Sequence, residues 1–171
     1  RFASGLSSGS TSAITNAIVF WQFPYGLFSA SISTVLFPKM SKQIGLGDRE
    51  GLKDTLQYGL RYLAVLLIPS AIFLSLFGQE IISVTIQRGE FTAENTSMTA
   101  RVLTAYSLGL FSTGAYNFIQ RYFYSDGNFK IPFIVTMIVA VIDIILSLWW
   151  KETELGVIGL ALANTAAFTL G

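Results

Sequence analysis

The stretch RYLAVLLIPSAIFLSLFGQE, residues 61–80, carries no charge between its terminal Arg61 and Glu80. A hydrocarbon core of about 30 Å takes about 20 apolar residues in a helix, whose backbone groups satisfy one another in lipid. The whole chain is 52% hydrophobic and only 12% charged, with a mean hydropathy of +0.58. Since soluble domains carry about 25% charged residues, this composition indicates an integral membrane protein.

The same pattern recurs along the chain, which ends in a shorter apolar run. It predicts an all-α fold, a polytopic transmembrane helix bundle with four complete membrane helices and a truncated fifth. We expect residues 1–171 to form a single transmembrane region. The predicted helices cover residues 12–38, 56–84, 100–124, 131–150 and 156–171.

Several function classes are excluded by what the chain lacks. It has no Cys and no His, so thiol nucleophiles, His general bases and the common zinc sites are ruled out. No phosphate-binding glycine motif occurs, and the net charge of +1 gives no case for a nucleic-acid partner. We therefore predict a protein that is not an enzyme and has no cofactor and no metal centre.

The basic residues predict the orientation in the membrane. The loops at 39–61 and 121–130 hold most of the Lys and Arg, whereas those at 85–101 and 151–155 hold few. Because cytoplasmic loops are enriched in Lys and Arg, the first pair is predicted to be cytoplasmic and the second pair to face outward. Lys39, Lys42 and Arg121 would then lie at the cytoplasmic mouth of the bundle.

Small and polar side chains form stripes on three of the predicted helices. In the first helix they recur at spacings of three and four, as expected for one helical face, and include Thr15, Gln22 and Ser29. The third helix offers Asn117 and Gln120 in the same way. Such stripes are either the normal contact surface between membrane helices or the lining of a wet cavity.

Three further residues stand out inside the predicted membrane helices. Asp143 is a carboxylate at membrane depth, which is costly unless it faces the interior or water and has a partner. It serves either a structural hydrogen bond or transport, by coupling an ion or shaping a cavity. Pro24 and Pro69 interrupt the hydrogen bonding of their helices, so we expect bends or hinges there.

Several segments resemble one known family. FPYGLF at 23–28, with STVLFPKMS at 33–41, resembles a signature of the MviN/MurJ family of lipid II flippases. RGEF at 88–91, RYFYSD at 121–126 and GVIGLALA at 156–163 are similar to further blocks of that family, in the same order and at similar spacing. The resemblance extends over nearly the whole chain.

The resemblance implies an exporter of two lobes around a central cavity, with this chain as an internal part of the C-terminal lobe. Implied partners are a lipid-linked cell-wall precursor, membrane lipids, the N-terminal lobe of the same chain and a coupling ion. The implied location is the bacterial inner membrane. By this resemblance the substrate cavity would include the residues Thr15, Gln22, Ser29, Asn117, Gln120 and Asp143.

The chain departs from the family at one place, because Val19 and Gln22 stand where the family carries an Arg and an acidic residue. A cation suits a diphosphate through charge and directed hydrogen bonds, and Val19 supplies neither. Two other hypotheses about the kind of transporter therefore stay open: a flippase for another lipid-linked polysaccharide unit, and a drug or cation antiporter. A non-transporting membrane scaffold is the third.

Overall fold

The first helix runs without a gap from Ser8 to Gly45, although it contains two prolines. The computed structural model describes residues 8–86, 92–151, 153 and 156–171. Helix α1 (Ser8–Pro24) passes directly into a π-helical segment (Tyr25–Ala30), which passes into α2 (Ser31–Gly45). Pro24 has no amide to donate and its ring displaces the carbonyl four residues earlier, so a wider turn follows it. The expected irregularity thus takes the form of a π-helix.

Helix α3 (Arg49–Ile86) is a single helix of 38 residues, and Pro69 lies inside it. At 1.5 Å per residue it is about 57 Å long, well beyond a hydrocarbon core of about 30 Å. Its charged residues fall toward its ends, outside the apolar middle. Gly47, in the left-handed conformation at φ 70°, makes the short turn between α2 and α3.

The third predicted helix is two helices, α4 (Ala93–Leu108) and α5 (Leu110–Ser125), separated by Gly109. The amide of Gly109 donates to the carbonyl of Tyr106 at 3.0 Å instead of to the carbonyl of Ala105. Thr165 supplies the missing donor, because its hydroxyl lies 2.7 Å from the Ala105 carbonyl oxygen. A side chain at Gly109 would collide with Thr165, so close helix approach requires glycine there.

Helix α6 (Lys130–Lys151) follows a second left-handed glycine, Gly127, and packs against α7 (Gly156–Leu170). Residues 87–91, 152, 154 and 155 lie outside the described residues, and with them the RGEF segment and most of the predicted 151–155 loop. Among the described helices, Arg49–Ile86 and Lys130–Trp150 are each long and apolar enough to cross a bilayer. The count of four complete membrane helices and a truncated fifth stays a prediction.

The helices enclose two apolar cores, one toward each end of the bundle. The first joins α1, α3, α4 and α7 through residues such as Ala17, Leu103 and Ala161. The second joins α2, α3 and α5 through Leu67 and Phe118, among others. It lies toward the end that carries the α2–α3 and α5–α6 turns, and the candidate site borders it.

Candidate functional site

A cavity of about 380 Å³ lies between the π-segment, α2 and α5. Ser29 and Ser33 reach it from the first helix and are both only 2% exposed. Gly114 on α5 permits this close approach, since a Cβ there would stand 2.5 Å from Cδ1 of Leu67 and 3.5 Å from the Ser29 hydroxyl. The described residues that line the cavity are Tyr25, Ser29, Ala30, Ser33, Phe37, Asn117, Gln120, Arg121 and Tyr124.

Tyr25 is held in a fixed orientation at the wall of this cavity. Its ring stacks on the indole of Trp21 with centroids 4.9 Å apart and an interplanar angle of 12°. Trp21 in turn contacts Tyr106 of α4, with ring centroids 6.5 Å apart. Ser29 and Arg121 are the polar neighbours of the Tyr25 hydroxyl. The aromatic contacts therefore fix the orientation of one hydroxyl in a cavity that Arg121 also lines.

The two amides on α5 are each anchored by one hydrogen bond. The Asn117 side chain donates to the carbonyl of Thr113 at 2.8 Å. Gln120 donates to the Thr136 hydroxyl of α6 at 2.8 Å, and Tyr116 shares a hydrogen bond of 2.9 Å with the same hydroxyl. Each amide retains its carbonyl oxygen and a second N–H for other partners. The positions of both amides are thus fixed while part of their hydrogen-bonding capacity stays available.

Four of the residues predicted from the sequence meet at this cavity, namely Ser29, Asn117, Gln120 and Arg121. Thr15 and Gln22 lie elsewhere, on an exposed face of α1, where Thr15 bonds back to the carbonyl of Thr11 at 3.0 Å.

The first helix therefore does not present one continuous polar face. Each residue turns an α-helix by about 100°, and a π-turn accommodates an extra residue, so the face rotates between Gln22 and Ser29. The spacing rule fails at that point because it assumes an unbroken α-helix.

Lys39 and Lys42 are exposed on α2 and do not line the cavity. They lie between the cavity residues of α2 and the Gly45–Asp48 turn, and their place at the cytoplasmic mouth stays a prediction.

Pro24 and Pro69 both line a different feature, an apolar groove of about 440 Å³ between α1, the π-segment and α3. Their action as hinges stays a prediction.

Asp143 lies in a separate polar site between α6 and α7. Asn164 is the polar side chain next to its carboxylate, and Tyr106 of α4 is close enough to interact electrostatically with it. Its Oδ1 atom is enclosed without a hydrogen-bond partner among the described residues. The structure therefore places Asp143 apart from the cavity beside Arg121.

The predicted site residues did not include Tyr25, Ser33, Phe37 and Tyr124, all of which line the cavity. The spacing of three and four did place Ser33 and Tyr124 on the polar stripes of their helices, whereas it gave no sign of Tyr25 and Phe37. Tyr25, Ser29 and Ser33 are four residues apart, a spacing that suits the wider π-turn better than the expected alternation of three and four. That spacing, together with Pro24 just before it, was the available signal.

A bundle of apolar helices that presents buried hydroxyls, amides and one guanidinium to a shared cavity has the architecture of a membrane transporter. The family model "Lipid II flippase MurJ" matches residues 1–171. The chain belongs to the MurJ family of lipid II flippases.

Individual relatives agree with the family match. A probable lipid II flippase MurJ of Borreliella burgdorferi is 33% identical over 168 residues, which cover 98% of this chain and 33% of that protein. The lipid II flippase MurJ of Thermosipho africanus is 36% identical over 152 residues, or 89% of this chain and 31% of that protein. A solved structure of a lipid II flippase MurJ in an inward closed conformation superposes with a TM-score of 0.88 at 35% identity, covering 98% of this chain and 35% of that one. The chain spans about a third of the length of these relatives.

Proposed function

We propose that this chain forms part of a transporter that moves a polyprenyl-diphosphate-linked peptidoglycan precursor, lipid II, across the bacterial inner membrane. The single observation that carries the proposal is the family match over all 171 residues. The polar cavity beside Arg121 supports it, because a translocated headgroup needs polar contacts at membrane depth.

The proposed membrane arrangement has four complete helices and a fifth that begins at Gly156. In this arrangement α1, the π-segment and α2 cross together as one helix, and α4 and α5 as another. The loops at 39–61 and 121–130 face the cytoplasm, and those at 85–101 and 151–155 face outward. The excess of Lys and Arg in the first pair supports this orientation.

The proposed mechanism is alternating access between two lobes of the complete protein. The exposed face of α1 with Thr15 and Gln22 would meet the other lobe of the complete protein, since polar residues otherwise contacting lipid would be costly. Lys39 and Lys42 would attract the anionic headgroup toward the cytoplasmic mouth. Bending at Pro24 and Pro69, on the two sides of one groove, would accompany the rocking motion.

Asp143 has two roles open to it within this mechanism. Its enclosed oxygen without a hydrogen-bond partner favours a site for a coupling ion or proton, whereas the neighbouring Asn164 favours a structural hydrogen bond. Its separation from the cavity beside Arg121 argues against direct headgroup contact.

A flippase for a different lipid-linked polysaccharide unit is the second candidate. The observation that favours it is Val19, which is 61% exposed at a position where the family carries a cation. With an apolar side chain at this position, the transporter lacks one group that could bind the diphosphate or recognise the sugar.

The test uses the full-length protein in cells depleted of their own lipid II flippase, and follows the appearance of lipid II on the outer face of the membrane. We expect outward lipid II to be restored. Failure with the protein verified in the membrane would reject lipid II as the substrate. A lipid-linked polysaccharide moved instead would support the second candidate, and transport of small cations that follows an ion gradient would indicate an antiporter. No transport of any of them would indicate a scaffold.

A further inference from the structure

The helix break at Gly109 is not forced by the covalent chemistry of the chain. Residues 93–125, which form α4 and α5, contain no proline that would interrupt an unbroken helix. The break is accompanied instead by an exchange of hydrogen bonds. The Gly109 amide donates to the Tyr106 carbonyl at 3.0 Å. The Ala105 carbonyl, which this amide would otherwise reach, accepts from the Thr165 hydroxyl at 2.7 Å. A side chain of α7 therefore holds the break from outside the helix.

A second arrangement satisfies the same groups equally well. In a straight helix the Gly109 amide would donate to the Ala105 carbonyl, four residues earlier. The Thr165 hydroxyl would then turn back to the Ala161 carbonyl in its own helix. Three other threonines of the bundle donate to the carbonyl four residues earlier in this way, at 2.7 to 3.0 Å: Thr99, Thr104 and Thr169. Neither arrangement leaves the amide, the hydroxyl or the carbonyl without a partner.

The break falls between the two apolar cores of the bundle. Ala105, before the break, belongs to the core that joins α1, α3, α4 and α7. Leu110, directly after it, belongs to the core that joins α2, α3 and α5. Each half of the broken helix is fixed in its own core, and Gly109 connects the two halves. Two packed bodies joined at a small residue are the arrangement of a hinge.

The other helices that pass through both cores are interrupted there as well. In α3, Leu67 lies in one core and Leu74 in the other, with Pro69 between them. The first helix passes from one core to the other through its π-segment, which directly follows Pro24. Pro24 and Pro69 line the same groove, so these two interruptions are neighbours in space.

An aromatic contact places the Gly109 break beside them. Tyr106 lies three residues before Gly109, and Trp21 lies three residues before Pro24. The centroids of the two rings are 6.5 Å apart. The three interruptions therefore lie at one level across the bundle, which we call the hinge plane. Helix α5, on one side of this plane, carries the amides and the guanidinium that line the polar cavity, so a bend at the plane moves them.

We propose that the Gly109 break is a switch in this hinge plane, in which the Thr165 hydroxyl alternates between the carbonyls of Ala105 and Ala161. When the hydroxyl leaves Ala105, α4 and α5 join into a straight helix, and the part of the bundle around the second core tilts relative to α4 and α7. This bend lies within the part of the protein that the chain forms. It is a motion additional to the rocking of two lobes in the proposed function.

The test measures distances between pairs of spin labels on the full-length protein, in a cysteine-free background and in nanodiscs. Exposed positions on α3 and α6 give one pair on each side of the hinge plane. Tyr58 and Met137 lie toward the α2–α3 and α5–α6 turns, and Val84 and Trp149 lie toward the other end. Tyr58 is about 16 Å along α3 from Pro69, so a bend of about 20° would shift the first distance by up to about 6 Å. The second distance should stay constant.

Three variants at two positions test the switch itself. Thr165→Val removes the hydroxyl and keeps the shape, so it should change the ratio of the two states about 3- to 10-fold toward the straight helix. Thr165→Ser should keep the wild-type ratio. Gly109→Ala should act in the same direction as Thr165→Val, because its Cβ would lie 2.8 Å from the Thr165 hydroxyl oxygen and Ala favours an unbroken helix. Gly45→Ala is the control, since a Cβ there has nothing within 4 Å.

Wild-type distances in both Thr165→Val and Gly109→Ala would overturn the proposal, and so would an equal change in the two label pairs. Lipid II transport by the wild type is followed separately. If lipid II is transported and the distances do not respond to the variants, the hinge is wrong and the flippase stands. If the distances respond and lipid II is not transported, the hinge stands and the proposed substrate is wrong.

Discussion

Replacing Gly59 by Ala should loosen the core that supports the cavity. A Cβ on Gly59 would stand 2.2 Å from Cζ and 2.4 Å from Cε1 of Phe118, and 3.0 Å from Cδ1 of Leu36. Phe118 is fully buried, so its ring has no space into which to retreat. Overpacking of this kind costs about 1–3 kcal/mol, whereas Ala gains up to about 1 kcal/mol over Gly as a helix former. We expect a net loss of about 1–2 kcal/mol.

The assay is the thermal unfolding of the full-length protein in detergent, followed by intrinsic fluorescence. Gly45→Ala is the matched control, because a Cβ on Gly45 has nothing within 4 Å and should not lower the melting temperature. Phe118→Leu removes the clashing ring atoms, so the double variant with Gly59→Ala should be more stable than the sum of the two single changes predicts. Equal melting temperatures for Gly59→Ala and Gly45→Ala, together with strict additivity, would refute the reasoning.

Three other changes test separate parts of the account. Thr165→Val should lower stability by about 0.6–2 kcal/mol, because the Ala105 carbonyl loses its donor, whereas Thr165→Ser should retain it; equal unfolding of the two variants would contradict this. In a cysteine-free background, Tyr124→Cys, which lines the cavity at a position 38% exposed, should react with a water-soluble thiol reagent faster than the fully buried Ala17→Cys, and equal protection of the two would indicate a packed interior. Gln22→Ala should weaken lipid II transport without reducing the amount of protein in the membrane, and unchanged transport would count against a cavity role for the exposed face of α1.

The helical architecture could be predicted from the sequence because long uncharged apolar runs determine their secondary structure without help from distant residues. Residues 61–80 lie inside α3, and residues 131–150 lie inside α6, as expected from the absence or near absence of charge. In lipid, the backbone N–H and C=O groups of such a run can form hydrogen bonds within the run only as a helix. The helix can therefore be predicted without knowledge of tertiary contacts.

The two interruptions were harder to predict for different reasons. Pro24 predicts the loss of one helical hydrogen bond. Whether the helix then forms a kink or a π-turn depends on the residues that pack around Trp21 and Tyr25. The break at Gly109 depends on Thr165, 56 positions further along the chain, whose hydroxyl takes over the freed carbonyl. Contacts between distant residues are invisible to a periodicity argument.

The cavity was only partly predictable for the same reason. The spacing identified Ser29, Asn117 and Gln120 as polar positions, yet the close approach of their helices rests on paired glycine contacts. Gly59 accepts the ring of Phe118, and Gly114 accepts a methyl group of Leu67. A sequence pattern marks the glycines but does not say which side chain fills each gap.

Photo-crosslinking of lipid II in living cells would show directly whether the substrate enters the cavity between the π-segment, α2 and α5. A photoreactive phenylalanine analogue is placed at Phe37, which lines the cavity, or at Phe133, which is 65% exposed on α6 and does not line it. Both positions accept the analogue without a change of residue class, and both variants are checked for membrane level and growth. We expect a lipid II adduct at position 37 and only background at 133. Equal adducts at both positions, or an adduct at 133 alone, would contradict it.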